Sequence, residues 1–150
     1  MPFDIANQQE LEQSWKYLSR SGPVPESPYE VHAAIEKGLP AAALKRFRAA
    51  VEELPDKTWA EILAISVSQL KRLRGADRPL SSGVSSQLVL FALLLTRAED
   101  IFGGRAAALD WMRSEQMALG GRRPIDLLDT FIGAALVDRT LRQIDYGVYL

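Results

Sequence analysis

From residue 84 to residue 102, apolar side chains return at alternating steps of four and three: Val84, Leu88, Phe91, Leu95, Ala98 and Phe102. That spacing is one face of an α-helix. Leu90, Leu93 and Leu94 make most of the remaining circumference apolar, as expected of a helix buried in a core or between two modules. Ser81 or Ser82 predicts its start, and Gly103-Gly104 its end.

The same spacing recurs in shorter pieces. Leu11, Trp15 and Leu18 share a face over 8–18, and 19–28, with three prolines and a glycine, reads as a loop. A helix over 29–37 should stop at Gly38, and Pro40 can open the next. Leu44, Phe47, Val51 and Leu54 carry that helix to residue 54, where Pro55 ends it and Asp56 is placed to cap its successor. After the long helix come one over 105–113, a loop to Pro124, a short helix to Asp129 and a last helix over 131–145. Strand-like alternation is absent, so the expected fold class is all-α.

Residues 57–74 read KTWAEILAISVSQLKRLR. Two short helices meet at Ala64-Ile65-Ser66, and Trp59, Ile62, Leu63, Ile65, Val67 and Leu70 supply apolar contacts between them. That is the layout of a helix-turn-helix, whose second helix reads the DNA major groove. Its candidate DNA-binding residues are Ser68, Gln69, Lys71, Arg72 and Arg74; Gln can pair with adenine, and Lys or Arg with guanine or phosphate. Ala64 stands where such turns prefer glycine. An ordinary helical hairpin with solvated cations is the alternative at this point.

Charge favours the same segment. Residues 1–42 carry three basic side chains against six acidic, 43–78 eight against five, and 79–150 seven against eight, within a net charge of −1. A polyanion would meet the middle of the chain. The chain has no cysteine and one histidine, His32, which excludes disulfides, thiol chemistry and cysteine-based zinc sites. No catalytic motif is found, and no catalytic residue, metal or cofactor is expected. With no apolar leader and no apolar run near ~20 residues, the expected location is cytoplasmic, away from any membrane.

The last third adds ordered motifs: Ala98, Ile101, Phe102 and Gly103; Ala108, Leu109, Trp111 and Met112; Leu119-Gly120-Gly121 before Pro124-Ile125-Asp126-Leu127-Leu128 and Thr130; then Ile144 and Tyr146-Gly147-Val148-Tyr149. In this order and spacing they resemble the C-terminal toxin-binding domain of the Xre/MbcA/ParS antitoxin family, and the upstream segment is similar to its Xre/Cro-like helix-turn-helix module. The resemblance covers roughly residues 30–150. It departs at Ser114-Glu115, where relatives often carry proline.

The resemblance implies a DNA-binding module over 29–96 and a toxin-binding domain over 97–150; the helical pattern before them reads as an arm or dimerisation element over 1–28. It implies a non-enzymatic type II antitoxin that neutralises a RES-domain, NAD-consuming toxin by direct binding and represses its own operon. The partners would be that toxin and operator DNA, with a homodimer inside a hetero-oligomer. The toxin-binding candidates are Arg122, Arg123, Tyr146, Tyr149 and Leu150. Arginine and tyrosine suit interfaces, and two aromatics with a terminal carboxylate suit a tail that enters the toxin's NAD pocket. A free-standing helix-turn-helix regulator without a toxin is the alternative.

Overall fold

The first helix starts where local chemistry satisfies its unpaired amides. The Asn7 side chain accepts from the Glu10 amide, and the Glu10 carboxylate accepts from the Asn7 amide at 3.1 Å, a reciprocal cap. The computed structural model describes residues 6–147. In it α1 (Gln8–Leu18) buries Leu11, Trp15, Tyr17 and Leu18. Ser27 caps α2 (Pro28–Lys37), which buries none of its residues fully. Then follow α3 (Ala41–Ala50), α4 (Asp56–Ile62), α5 (Val67–Arg72), the long α6 (Ser82–Phe102), α7 (Arg105–Met112) and α8 (Phe131–Asp145), with single 3₁₀ turns at Met117–Leu119 and Pro124–Leu127. No strand occurs among the described residues; one isolated bridge pairs Gln116 with Arg122. The fold is all-α, as the periodicity predicted.

α6 is the axis. α1, α2, α4, α7 and α8 all pack against it, which is why it is apolar nearly all round. Leu88, Phe91, Ala92, Leu94, Leu95 and Ala98 are wholly buried. At its centre Phe47 stacks between Tyr17 and Phe91 at 4.7 and 5.2 Å, and the Trp59 ring meets Phe47 edge-on at 5.1 Å. α1, α3, α4 and α6 thus share one aromatic core, each ring contributing about 1.5–3 kcal/mol by burial and more by geometry. The boundary expected at 96/97 falls inside α6.

A buried ionic cluster ties the two ends of the chain together. Arg97 on α6 donates to Glu10 of α1 at 3.1 Å and to Asp138 of α8, and Arg142 lies 3.2 Å from the other Asp138 oxygen. Asp138 is wholly buried, and these partners face its carboxylate oxygens. Burial works against the Arg97 charge, but the Glu10 and Asp138 carboxylates outweigh it and raise its pKa.

Two expectations change. The third helix ends at Ala50 rather than 54: Val51 leaves the helical region at φ −127°, ψ 66°, although Val51 and Leu54 remain buried. Asp56 does not cap α4; Pro55 holds that place and no side chain caps it. The Asp56 carboxylate instead receives Arg48 of α3 and Arg74, which follows α5.

Candidate functional site

Two surfaces invite contact, and both reach the N-terminal half of α6, where Gln87 touches each. The first is the α4–α5 pair. At the end of α4 the Ile65 amide donates to the Ala60 carbonyl and the Ala64 amide to that of Glu61. This is a Schellman closure with Ala64 in the left-handed position at φ 56°. Ala64 therefore takes the backbone shape for which glycine is preferred, and the turn forms. Ser66 then caps α5 reciprocally: its hydroxyl accepts from the Gln69 amide at 3.1 Å, and its own amide donates to the Gln69 side chain at 2.8 Å. Leu70 anchors α5 in the core with no exposed area.

All five predicted DNA-binding residues lie exposed, but they are differently engaged. Ser68, Lys71 and Arg72 face outward on α5. Gln69 spends its carbonyl oxygen on the cap, which leaves its amide hydrogens as donors. Arg74 donates to both Asp56 oxygens at 3.1 and 3.0 Å. With Arg48 foremost, and Arg74 behind it, Asp56 is held below the ordinary aspartate range. This cluster fixes the end of α5 against α3 and α4.

The second surface surrounds the turns between α7 and α8. The Gln116 amide donates to the Arg122 carbonyl at 3.0 Å and the Gly121 amide back to the Gln116 carbonyl at 2.9 Å. The loop closes through left-handed Gly120 and Gly121 at φ 67° and 80°, a shape that other residues resist. Below it Leu119, Pro124, Ile125 and Leu128 are buried. Gly133 on α8 sits so close that an added Cβ would lie 1.9 Å from the Leu127 carbonyl oxygen. Arg122 is exposed, whereas Arg123 makes two 2.8 Å bonds to Asp126. Those bonds and the Asp126 charge raise the Arg123 pKa.

Sequence reasoning missed the largest apolar groups here. Met117 is 90% exposed, Phe131 63% and Ile132 65%, and Tyr146, past the other end of α8, is 79% exposed; of these only Tyr146 was predicted. A signal was available in part: two consecutive apolar residues at a helix start cannot both face inward. Tyr149 and Leu150 lie outside the described residues. Trp111 is half-buried and stacks on Phe102 at 5.3 Å, while His32 is exposed beside Glu36.

One side chain connects the two surfaces. Gln87, half-buried on α6, donates at 2.8 Å to the Ile62 carbonyl at the end of α4 and at 2.8 Å to the Leu128 carbonyl before α8. Both are carbonyls that their helices leave without an internal partner.

Comparison with known proteins follows the same division. Residues 30–93 match the antitoxin Xre-like helix-turn-helix domain, and residues 97–147 the antitoxin Xre/MbcA/ParS C-terminal toxin-binding domain. The "Prs ADP-ribosylating antitoxin" of Sphingobium sp. (strain YBL2) is 33% identical over 145 residues, covering 91% of this chain and 87% of that protein. "Antitoxin Xre" of Yersinia enterocolitica serotype O:8 / biotype 1B (strain NCTC 13174 / 8081) is 33% identical over 94 residues, 60% of this chain and 64% of that protein. Among the described residues no helix is long and apolar enough to cross a membrane.

Proposed function

The chain belongs to the Xre/MbcA/ParS antitoxin family, and from that premise we propose that it neutralises a RES-type, NAD-consuming toxin by direct binding and represses its own operon as a type II antitoxin. The observation that carries the toxin half is the exposure of Met117, Phe131, Ile132 and Tyr146 on the segment that matches a toxin-binding domain. Aromatic residues, methionine and arginine are the types enriched where protein surfaces meet. The Sphingobium relative carries ADP-ribosylation in its name. NAD is the donor in that reaction, which supports a toxin that consumes it.

The work divides between residues 29–96 for DNA and 97–150 for toxin, with residues 1–28 as the N-terminal element of the assembly. Ser68, Gln69, Lys71 and Arg72 enter the major groove, and Arg74 sets the end of α5. Two copies of the chain engage paired half-sites, since one α5 offers few phosphate contacts and affinity rises steeply with their number. Arg122 joins the apolar patch against the toxin, Arg123 shapes the loop through Asp126, and Tyr146, beyond the other end of α8, leads to Tyr149 and Leu150, which extend the contact into the NAD pocket.

The test is co-expression with the protein encoded beside it. Growth rescue together with a stable purified complex supports the reading. A toxic neighbour that is neither rescued nor bound overturns it. Replacing Lys71 and Arg72 with alanine should abolish operator binding and leave rescue intact; loss of both would show that the two activities are not separable.

A further inference from the structure

Three of the chain's basic residues outside the middle segment are brought back to it by the fold. Lys16 and Arg20, at and just beyond the end of α1, and Arg105, at the start of α7, line a 1290 Å³ groove together with Lys45 and Arg46 of α3. The carboxylates on this groove are Glu99 and Asp100. Glu99 accepts from the Tyr17 hydroxyl, which Arg105 also contacts at 2.9 Å. Burial, and then the Glu99 hydrogen bond, push the Tyr17 hydroxyl pKa upward. Burial foremost, then Glu10 and Asp145, raise the Asp100 pKa. Five cations, Lys16, Arg20, Lys45, Arg46 and Arg105, line the groove against these two carboxylates, so its net charge is positive.

The groove is continuous with the reading helix. Ala42, Lys45 and Ala49, on one stripe of α3, line both this groove and a second one of 720 Å³ whose far wall is Leu70, Leu73 and Arg74 at the end of α5. Glu52 and Asp77 stand on that second groove. Lys45 is thus the ridge between the end of α5 and the end of α1. Arg46 fixes the far side, because its Nε donates to the Lys16 carbonyl at 2.9 Å. Lys16, Arg20 and Lys45 are all exposed, and the small Ala42 and Ala49 leave the ridge low.

We propose that Lys16, Arg20, Lys45 and Arg46 form a second DNA contact, a sequence-independent belt that follows the phosphate backbone beyond the segment read by α5. The inference rests on the DNA-binding reading above. It assigns a partner to α1, which lies outside both matched domains. Such contacts position a protein on the duplex without specifying sequence. They show themselves as salt dependence, with each neutralised phosphate contributing about 0.9 to the slope of log affinity against log salt.

The experiment uses the full chain and two labelled mixed-sequence duplexes, one of about three helical turns and one of about a single turn. Binding is followed by fluorescence anisotropy across a salt series. The variant is Lys16→Ala/Arg20→Ala/Lys45→Ala, which spares Arg46 and its tether. On the long duplex the salt slope should become shallower by about 2 to 3; on the short duplex variant and parent should coincide, with equal melting temperatures. An unchanged slope on the long duplex overturns the belt, and so does an equal loss on the short one. Lys71→Ala/Arg72→Ala separates the two ideas: if it abolishes binding while the triple variant binds as the parent does, the belt fails and DNA binding stands. A parent that binds neither duplex at low salt overturns both.

Discussion

Replacing Ala64 with glycine should make this protein more stable. Ala64 occupies the left-handed region at φ 56°, where an L-residue with a Cβ is disfavoured by about 1–2 kcal/mol. Glycine has no such penalty but loses more backbone entropy on folding, about 0.5–1 kcal/mol relative to alanine. The Ala64 methyl is exposed, so no packing is lost with it. The difference favours glycine by about 0.5–1 kcal/mol, or about 1–4 °C in Tm for a chain of this size. Chemical denaturation with fitted slopes, checked by calorimetry, measures it. Ala64→Val should move the other way by more than 1 kcal/mol, roughly, because a β-branched residue is a poorer fit still at positive φ. Destabilisation by glycine, or indifference to valine, would refute the left-handed turn and with it the account of how α4 and α5 are joined.

Asp138→Asn should destabilise the fold by about 3 kcal/mol, since it removes the carboxylate that faces Arg97 and Arg142 in a buried site; a loss below about 1 kcal/mol in urea unfolding would contradict this. Asp56 has a lowered folded-state pKa. Its stabilising contribution is complete above the unfolded aspartate value of about 3.9 and disappears as pH falls through the lower folded value. Asp56→Asn should accordingly flatten the acid limb of the stability curve, and an unchanged limb counts against the Arg48–Asp56–Arg74 cluster. Phe131→Asp and Ile132→Asp should each weaken toxin co-purification by about 30-fold, near 2 kcal/mol, without lowering Tm; retention at parental affinity would place the toxin elsewhere.

Periodicity disclosed α6 because its apolar residues repeat at helical spacing over a long stretch, and Ser81 was legible at its start because capping is local. The end of α3 was not, since Val51 and Leu54 keep the helical apolar spacing while the backbone turns beneath them. Asp56 looked like a cap because its partners Arg48 and Arg74 become neighbours only in the folded chain. The pairing of Glu10 with Arg97, 87 residues away, was out of reach of the sequence for the same reason. At the candidate site, residue type pointed to Arg122 and Arg123 alike, and only coordinates show that Arg123 is held by Asp126. Phe131 and Ile132 were passed over because an apolar side chain on a helical pattern reads as core, Met117 because it fell in an expected loop, and exposure is a tertiary fact.

The position of Gln87 has a consequence for turnover. Its single amide closes the last turn of α4 and the turn before α8, and α6 beneath it serves one continuous core that runs from Ala6 to Leu141. On the proposed reading, in which α4–α5 meets DNA and the α7–α8 surface meets toxin, the two surfaces therefore have no separate lifetimes. A protease that catches α6 open disables both in one event, so the concentration of this chain would set promoter release and toxin release on a common clock.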